Sequence, residues 1–238
     1  MTTSNSTVFN QTRDQLIAGA LRMLGVVAQG ESPNAVQITE ASEALNMMVK
    51  AFEADGMPLW GLTEYTLTMT TGVSKYQIGV GKMIDIPKPL KVFQAWNRNN
   101  TSHIDIPMRI LTKQEYNMLG NKETAGNPIQ IYYNPLLDYG ELNLFPTPSA
   151  TDVATAKIVF VYQRPFEDFL ISGNTPDFPQ EWLEALKYGL AVRLAPEYGI
   201  DAEARKFLIQ EYASVKAIAL SFGVEEGSIY LQVDRRNY

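Results

Sequence analysis

The chain is 238 residues long, 45% hydrophobic and 19% charged, which gives room for one elaborated domain or two small ones with real cores and excludes a disordered polar tract. Its formal net charge of −6 argues against a protein built to grip phosphate backbones, and the absence of cysteine removes disulfides, thiol nucleophiles and thiolate metal sites together. The single histidine, His103, leaves no imidazole cluster for zinc, and no Asp/Asn/Gly loop has the spacing of a calcium-binding EF hand, so no metal or other cofactor is expected.

The first thirteen residues are rich in Thr, Ser, Asn and Gln without an apolar run, so no secretory signal is read there and folding in the cytosol is expected. Thr12 followed by Gln15 has capping-box spacing, and Leu16, Ile17, Ala20, Leu21 and Leu24 then keep helical periodicity until Gly25. A second helix opens near Ser32, Pro33 or Asn34, carries Ile38, Ala41, Leu45, Met48, Val49 and Phe52 on one face, and stops at Asp55-Gly56 before Pro58. The two read as a helical hairpin.

From Leu62 the period becomes two. Tyr65, Leu67 and Met69 alternate with threonines, Thr71-Gly72 punctuates, and the pattern resumes at Tyr76 to give a hairpin signal. Further strands are expected at 90–96, 103–110, 129–133, 141–145 and 157–162, interrupted by one short helix at 113–119 and separated by Pro- and Gly-bearing linkers. No segment holds the run of about 18 uncharged apolar residues that a membrane span needs.

Helix returns at 179–222. Trp182 or Leu183, then Leu186, Leu190 and Leu194, form one stripe, with Gly189, Ala191 and Ala195 small enough for close helix contact. Pro196 lacks an amide donor and crowds the preceding turn, so the helix breaks there. Asp201 caps a last helix whose inward positions are expected to be Ala204, Leu208, Tyr212, Val215 and Phe222. Segregated helices and strands imply an α+β fold, in which N- and C-terminal helices form one bundle with an inserted antiparallel β module and an extended C-terminal arm. The expected boundaries are 1–61 with 176–222 for the helical body, 62–175 for the β module and 223–238 for the arm.

Candidates for chemistry are thin. Gly79-Val-Gly81 lacks the third glycine of a dinucleotide loop and reads as a turn. His103, in an expected strand near Asp105, has no Gly-x-Ser-x-Gly elbow to supply a nucleophile. Glycoside hydrolysis needs two carboxyls about 5 to 9.5 Å apart across a cleft, and the pairs on offer (Glu181 with Glu184, Glu225 with Glu226, Glu53 with Asp55, Glu167 with Asp168) are sequence neighbours on solvated segments. The aromatics Trp96, Tyr116, Tyr132, Tyr133, Tyr139 and Phe145 lack the interleaved Arg and Lys of a base-stacking platform; packing is the simpler use, with a saccharide-binding surface as a weaker reading. The tail differs. Ser228, Ile229, Tyr230, Leu231, Val233 and Tyr238 alternate apolar with polar residues, a pattern that suits a strand or arm laid on another protein, with Arg235 and Arg236 to pair with its carboxylates. A frayed terminus accounts for the same composition.

Several segments together resemble the head-to-tail adaptor proteins of short-tailed bacteriophages, which include the packaged-DNA stabilisation or head-completion proteins. They are Ala28-Gln-Gly-Glu31 before Glu43-Ala-Leu-Asn-Met-Met-Val49, Asp55-Gly56 with Trp60, Thr71-Gly72 with Tyr76-Gln-Ile-Gly79, and Gly126-Asn-Pro128 leading to Tyr132-Tyr133-Asn-Pro135. The most specific are Leu186-Lys-Tyr-Gly-Leu-Ala191 and Leu194-Ala-Pro-Glu-Tyr-Gly199. The resemblance implies a structural protein of the virion's head-tail junction, made in the host cytoplasm, that forms a ring of twelve copies beneath the portal protein and presents its other face to the tail tube or nozzle. Packaged DNA would pass through without tight binding. It makes Ser228, Ile229, Tyr230, Leu231, Val233, Arg235, Arg236 and Tyr238 a portal-binding arm, leaves Trp182, Leu186 and Leu190 as packing residues, and transfers no catalytic residue. The alternative from another class is a peptidoglycan-degrading glycosidase, alone or as a side activity of the adaptor.

Overall fold

A computed structural model of the chain describes residues 5, 7–55 and 59–223. The fold is α+β and divides into two compact units: the described residues up to Ala51 with those from Asp168, and the described residues of Phe52–Glu167.

In the helical unit, α1 (Arg13–Met23) opens on the expected capping box. The Thr12 hydroxyl accepts from the Gln15 N–H at 3.4 Å, and the Gln15 side chain accepts from the Thr12 N–H at 2.9 Å, which satisfies two donors that the first helical turn leaves orphaned. Asn34 and Gln37 make the same reciprocal bonds, both at 2.9 Å, at the start of α2 (Ala35–Asp55), whose residues from Phe52 on are counted with the other unit. The central helix of the unit, α5 (Leu183–Leu194), buries Leu183, Ala185, Leu186, Gly189, Leu190, Ala191 and Leu194, and both α1 and α6 (Ala202–Phe222) pack on it.

Gly189 is the point of closest approach. A methyl group built there would lie 2.7 Å from Met48 Sδ and 2.9 Å from the Tyr212 ring, so only hydrogen fits between them. Beyond α5 the chain breaks through Pro196 and closes with the Ile200 N–H on the Ala195 carbonyl at 3.0 Å, using Gly199 at φ +65 for the left-handed turn. Asp201 then caps α6 by accepting from the Glu203 and Ala204 N–H groups, each at 3.2 Å. The segment just after Glu167 is tied to this unit by the Phe169 N–H on Asn46 Oδ1 at 2.9 Å and by Lys50 on Asp168 at 3.0 Å.

The second unit holds β1 (Leu62–Leu67), β2 (Lys75–Ile78), β3 (Lys91–Asn99), β4 (Asp105–Pro107), β5 (Arg109–Ile110), α3 (Lys113–Met118), β6 (Gln130–Pro135), β7 (Gly140–Phe145), α4 (Ala150–Thr155) and β8 (Ala156–Gln163). They make two four-stranded sheets, ordered β1-β8-β3-β4 and β2-β7-β6-β5. Leu67, Val92, Ala95, Ile158, Phe160 and Tyr162 from the first sheet meet Tyr76, Ile78, Ile131, Leu142 and Leu144 from the second in one core. On the other side of the second sheet, Tyr116 of α3 stacks on Tyr132, ring centroids 4.8 Å apart, and its hydroxyl bonds the buried Asn143 at 3.2 Å. That covers the outer face with a small second cluster of Leu111, Tyr116 and Tyr132.

The strands fall close to where alternation puts them, but their pairing departs from expectation in three ways. β1 and β2 are not a hairpin: β1 pairs with β8 and β2 with β7, because the turn between them carries the chain from one sheet to the other. The expected strand 103–110 is two strands in different sheets, hinged at Met108, whose N–H bonds Ala95 of the first sheet at 2.8 Å while the Arg109 N–H bonds Ile129 beside the second at 3.0 Å. β5 joins β6 in parallel, whereas the other strand pairings are antiparallel. Helix α4 was not expected. It buries no residue, so it has no apolar stripe to announce it, and its sequence signal is the Ser149/Asp152 capping box.

Candidate functional site

Among the described residues, those that carry chemistry in other proteins are not brought together. Glu181, Glu184, Glu167 and Asp168 are exposed, Asp168 pairs with Lys50, and Glu53 accepts the Phe166 N–H at 2.7 Å as a structural bond; Glu225 and Glu226 lie outside the described residues. His103 sits in an exposed turn at φ +55 rather than in a strand, because the Asn99 side chain takes the N–H groups of Thr101 and Ser102, both at 2.9 Å, and curls the chain there. Asp105 belongs to Arg98, which grips it through two bonds of 2.7 Å and holds its carboxyl below the usual carboxylate range. Gly81 turns at φ +71 and gives its N–H to Asp85 Oδ1 at 2.7 Å, so the Gly79-Val-Gly81 loop is a closed turn with that donor already used. Among the described residues no group of three or more His, Asp or Glu is placed to hold a metal ion.

The aromatics likewise do not form one platform. Tyr116 and Tyr132 are buried, and Tyr133 lies over Gly140 so closely that a methyl group there would meet its ring. Burial pushes the Tyr116, Tyr132 and Tyr133 hydroxyls above the ordinary tyrosine value, with the nearby Glu141 charge adding to the first two. Tyr139 and Phe145 are half-buried, as is Trp96, and Trp96 borders a recess of about 650 Å³ lined by Phe93, Gln94, Pro107, Met108 and Ile110 among others. The Trp96 indole N–H is buried without an acceptor, and the Arg98 guanidinium lies 5.9 Å from the ring centroid.

The surface that sequence reasoning misjudged is α6. Of the five positions expected to face inward only Leu208 is buried, joined by Ala219; Tyr212 and Val215 are half-buried, Ala204 is exposed and Phe222 is 73% exposed. Only a narrow stripe of the helix meets α5, so an apolar residue a quarter-turn from that stripe stays in water. Phe207 and Ile218 are 60% and 58% exposed, and Ile209 and Leu220 are open as well. The signal was present in the sequence as more apolar residues than one helix contact can cover. The tail residues Ser228, Ile229, Tyr230, Leu231, Val233, Arg235, Arg236 and Tyr238 lie outside the described residues.

No helix among the described residues is long and apolar enough to cross a membrane. Among the described residues the candidate carboxylates are exposed or already bonded, and the last helix of this α+β body leaves several large apolar side chains open to solvent. A family model described as SU10 adaptor protein matches residues 11–225, and the chain belongs to that family of phage head-to-tail adaptor proteins. No curated protein matches it.

Proposed function

We propose that this chain is a component of the virion's head-tail junction that assembles as a ring, of twelve copies by resemblance, beneath the portal protein, joins it to the tail tube or nozzle, and helps retain packaged DNA. The observation that carries this reading is the family match over residues 11–225, which takes in both compact units. The boundaries 1–61 with 176–222, 62–175 and 223–238 then serve as ring body, projecting β module and portal-binding arm, the last through Ser228, Ile229, Tyr230, Leu231, Val233, Arg235, Arg236 and Tyr238. The net charge of −6 supports a conduit that DNA slides past without tight binding. Among the described residues no arrangement of carboxylates favours the glycosidase alternative.

Electron microscopy of the purified chain mixed with its portal tests the reading. The chain alone should be monomeric and should form rings only on portal, because an arm that gains order by docking contributes nothing before it docks. Deleting residues 227–238 should abolish rings while leaving the folded body intact. Unimpaired assembly of that truncation would remove the arm from the proposal, and an absence of any complex between the whole chain and portal would remove the adaptor role itself.

A further inference from the structure

Helix α6 has two different sides. At 3.6 residues per turn, Phe207, Ile218 and Phe222 fall together on one side of the stripe that packs on α5, and Ile209, Ala213 and Leu220 fall together on the other. All six are exposed. The charges divide the same way: Glu203 and Glu211 flank the first side, and Arg205, Lys206 and Lys216 flank the second. Each side is therefore an apolar strip edged by one sign of charge, and the two sides complement one another. A two-fold pairing would set like against like, the acid-edged side on the same side of its copy or the base-edged side on the same side of its copy. Pairing unlike sides joins copies head to tail, and such a contact closes into a ring when its rotation allows.

We infer that α6 is the coupling element between copies of this chain, the Phe207/Ile218/Phe222 side of one copy docking on the Ile209/Ala213/Leu220 side of the next. The inference rests on the ring reading above and names the surface that would make it. A second copy is the occupant because the complementary charge pattern is carried by the same helix of the same chain.

The absence of cysteine in the chain makes a cross-linking test clean. Full-length chain carrying both Ile218→Cys and Ile209→Cys, assembled on portal and oxidised, should run as a ladder extending beyond dimers. The two sites lie on opposite sides of one helix and cannot bridge within a copy. Either single variant should give no self-linked dimer, and an equal mixture of the two should give mixed dimers. Separately, Glu203→Lys with Glu211→Lys should cut ring formation by at least about tenfold, since like charges would then face each other. Adding Arg205→Glu and Lys206→Glu to the same chain should restore it. Self-linked dimers from a single variant would overturn the head-to-tail contact in favour of a two-fold one. Rings seen on portal without cross-links would overturn the inference while leaving the adaptor role standing. Failure to form rings with unmodified chain would overturn both.

Discussion

The two compact units spend their apolar residues differently. The two-sheet unit closes its core on itself, with Phe160, Tyr76, Ile78, Ile131, Leu142 and Leu144 at or near zero exposure, and the apolar residues it leaves outside, such as Val80, Ile104, Met118 and Leu137, are spread over several loops and short elements. Exposed apolar residues spread in this way are ordinary on any protein surface. The helical unit is equally well filled around α5 but ends in a helix with Phe207, Ile209, Ile218, Leu220 and Phe222 all open to solvent. Apolar residues grouped along one element mark a surface meant to be covered. One unit is finished by folding, whereas the other, on the coupling inferred above, is finished by assembly.

The contrast breaks most sharply if it fails under truncation. Phe160 is fully buried between the Tyr65 and Tyr162 rings, centroids 5.6 and 5.8 Å away, so Phe160→Ala removes a packed ring and leaves a cavity. The expected loss is about 3 to 5 kcal/mol in urea unfolding. The same truncation at Phe222 should change stability by no more than about 0.5 kcal/mol, because the residue packs on little within its own chain. Equal losses at the two sites would mean that α6 is covered by its own chain and that the contrast is false.

Within the helical unit, Gly189→Ala sharpens the distinction between the filled side and the open one. The added methyl meets Met48 and the Tyr212 ring, two side chains that are themselves packed. Alanine is the better helix former by about 1 kcal/mol, yet the overpacking should win and leave a net destabilisation of about 1 to 2 kcal/mol in the same assay. A more stable Gly189→Ala variant would show that α5 and α6 can move apart freely, and that α6 is loosely held on its buried side too.

Much of this was legible in the sequence, for physical reasons that also mark where legibility ended. Helix starts are local chemistry: Thr12 with Gln15 and Asp201 with its following turn needed nothing beyond three or four residues, and the bonds formed as expected. The small residue at Gly189 pointed to close helix contact, although its partner Tyr212 lies 23 positions on and only the fold brings it there. Strand pairing is nonlocal: β1 and β2, adjacent in sequence and joined by a turn, read as a hairpin, yet each pairs with a strand about 65 to 95 residues away. The split at Met108 was hidden because Ile104, Ile106 and Ile110 continue one alternation straight through the hinge. Periodicity says that a face is apolar, and it does not say whether the cover is the same chain. That is why α6 was placed inside. The portal-arm residues 228–238 fall outside the described structure, so their role stays with the proposal.

The smallest effect concerns pH and again separates the units. Burial raises the hydroxyl pKa of Tyr76, Tyr116, Tyr132, Tyr133 and Tyr162 in the two-sheet unit, while in the helical unit it raises Tyr198, helped by Glu40 and Glu197. A raised folded pKa means that the folded state keeps its proton where the unfolded chain has lost it. The stability tied to these groups is therefore intact below about pH 10 and drains away as pH climbs toward the folded values. Tyr133 is shifted furthest, and its hydroxyl donates to the Pro89 carbonyl. It should account for at most about 1.4 kcal/mol of loss at pH 11, and less to the extent that solvent reaches the hydroxyl. Tyr133→Phe loses that hydrogen bond at neutral pH, a cost of about 1 kcal/mol, but has no proton to give up. Urea midpoints measured at pH 8 and pH 11 should thus converge between wild type and Tyr133→Phe as pH rises. A gap that stays constant would show that the Tyr133 hydroxyl ionises as freely in the folded unit as in the unfolded chain, and that this edge of the two-sheet core is wetter than its packing over Gly140 implies.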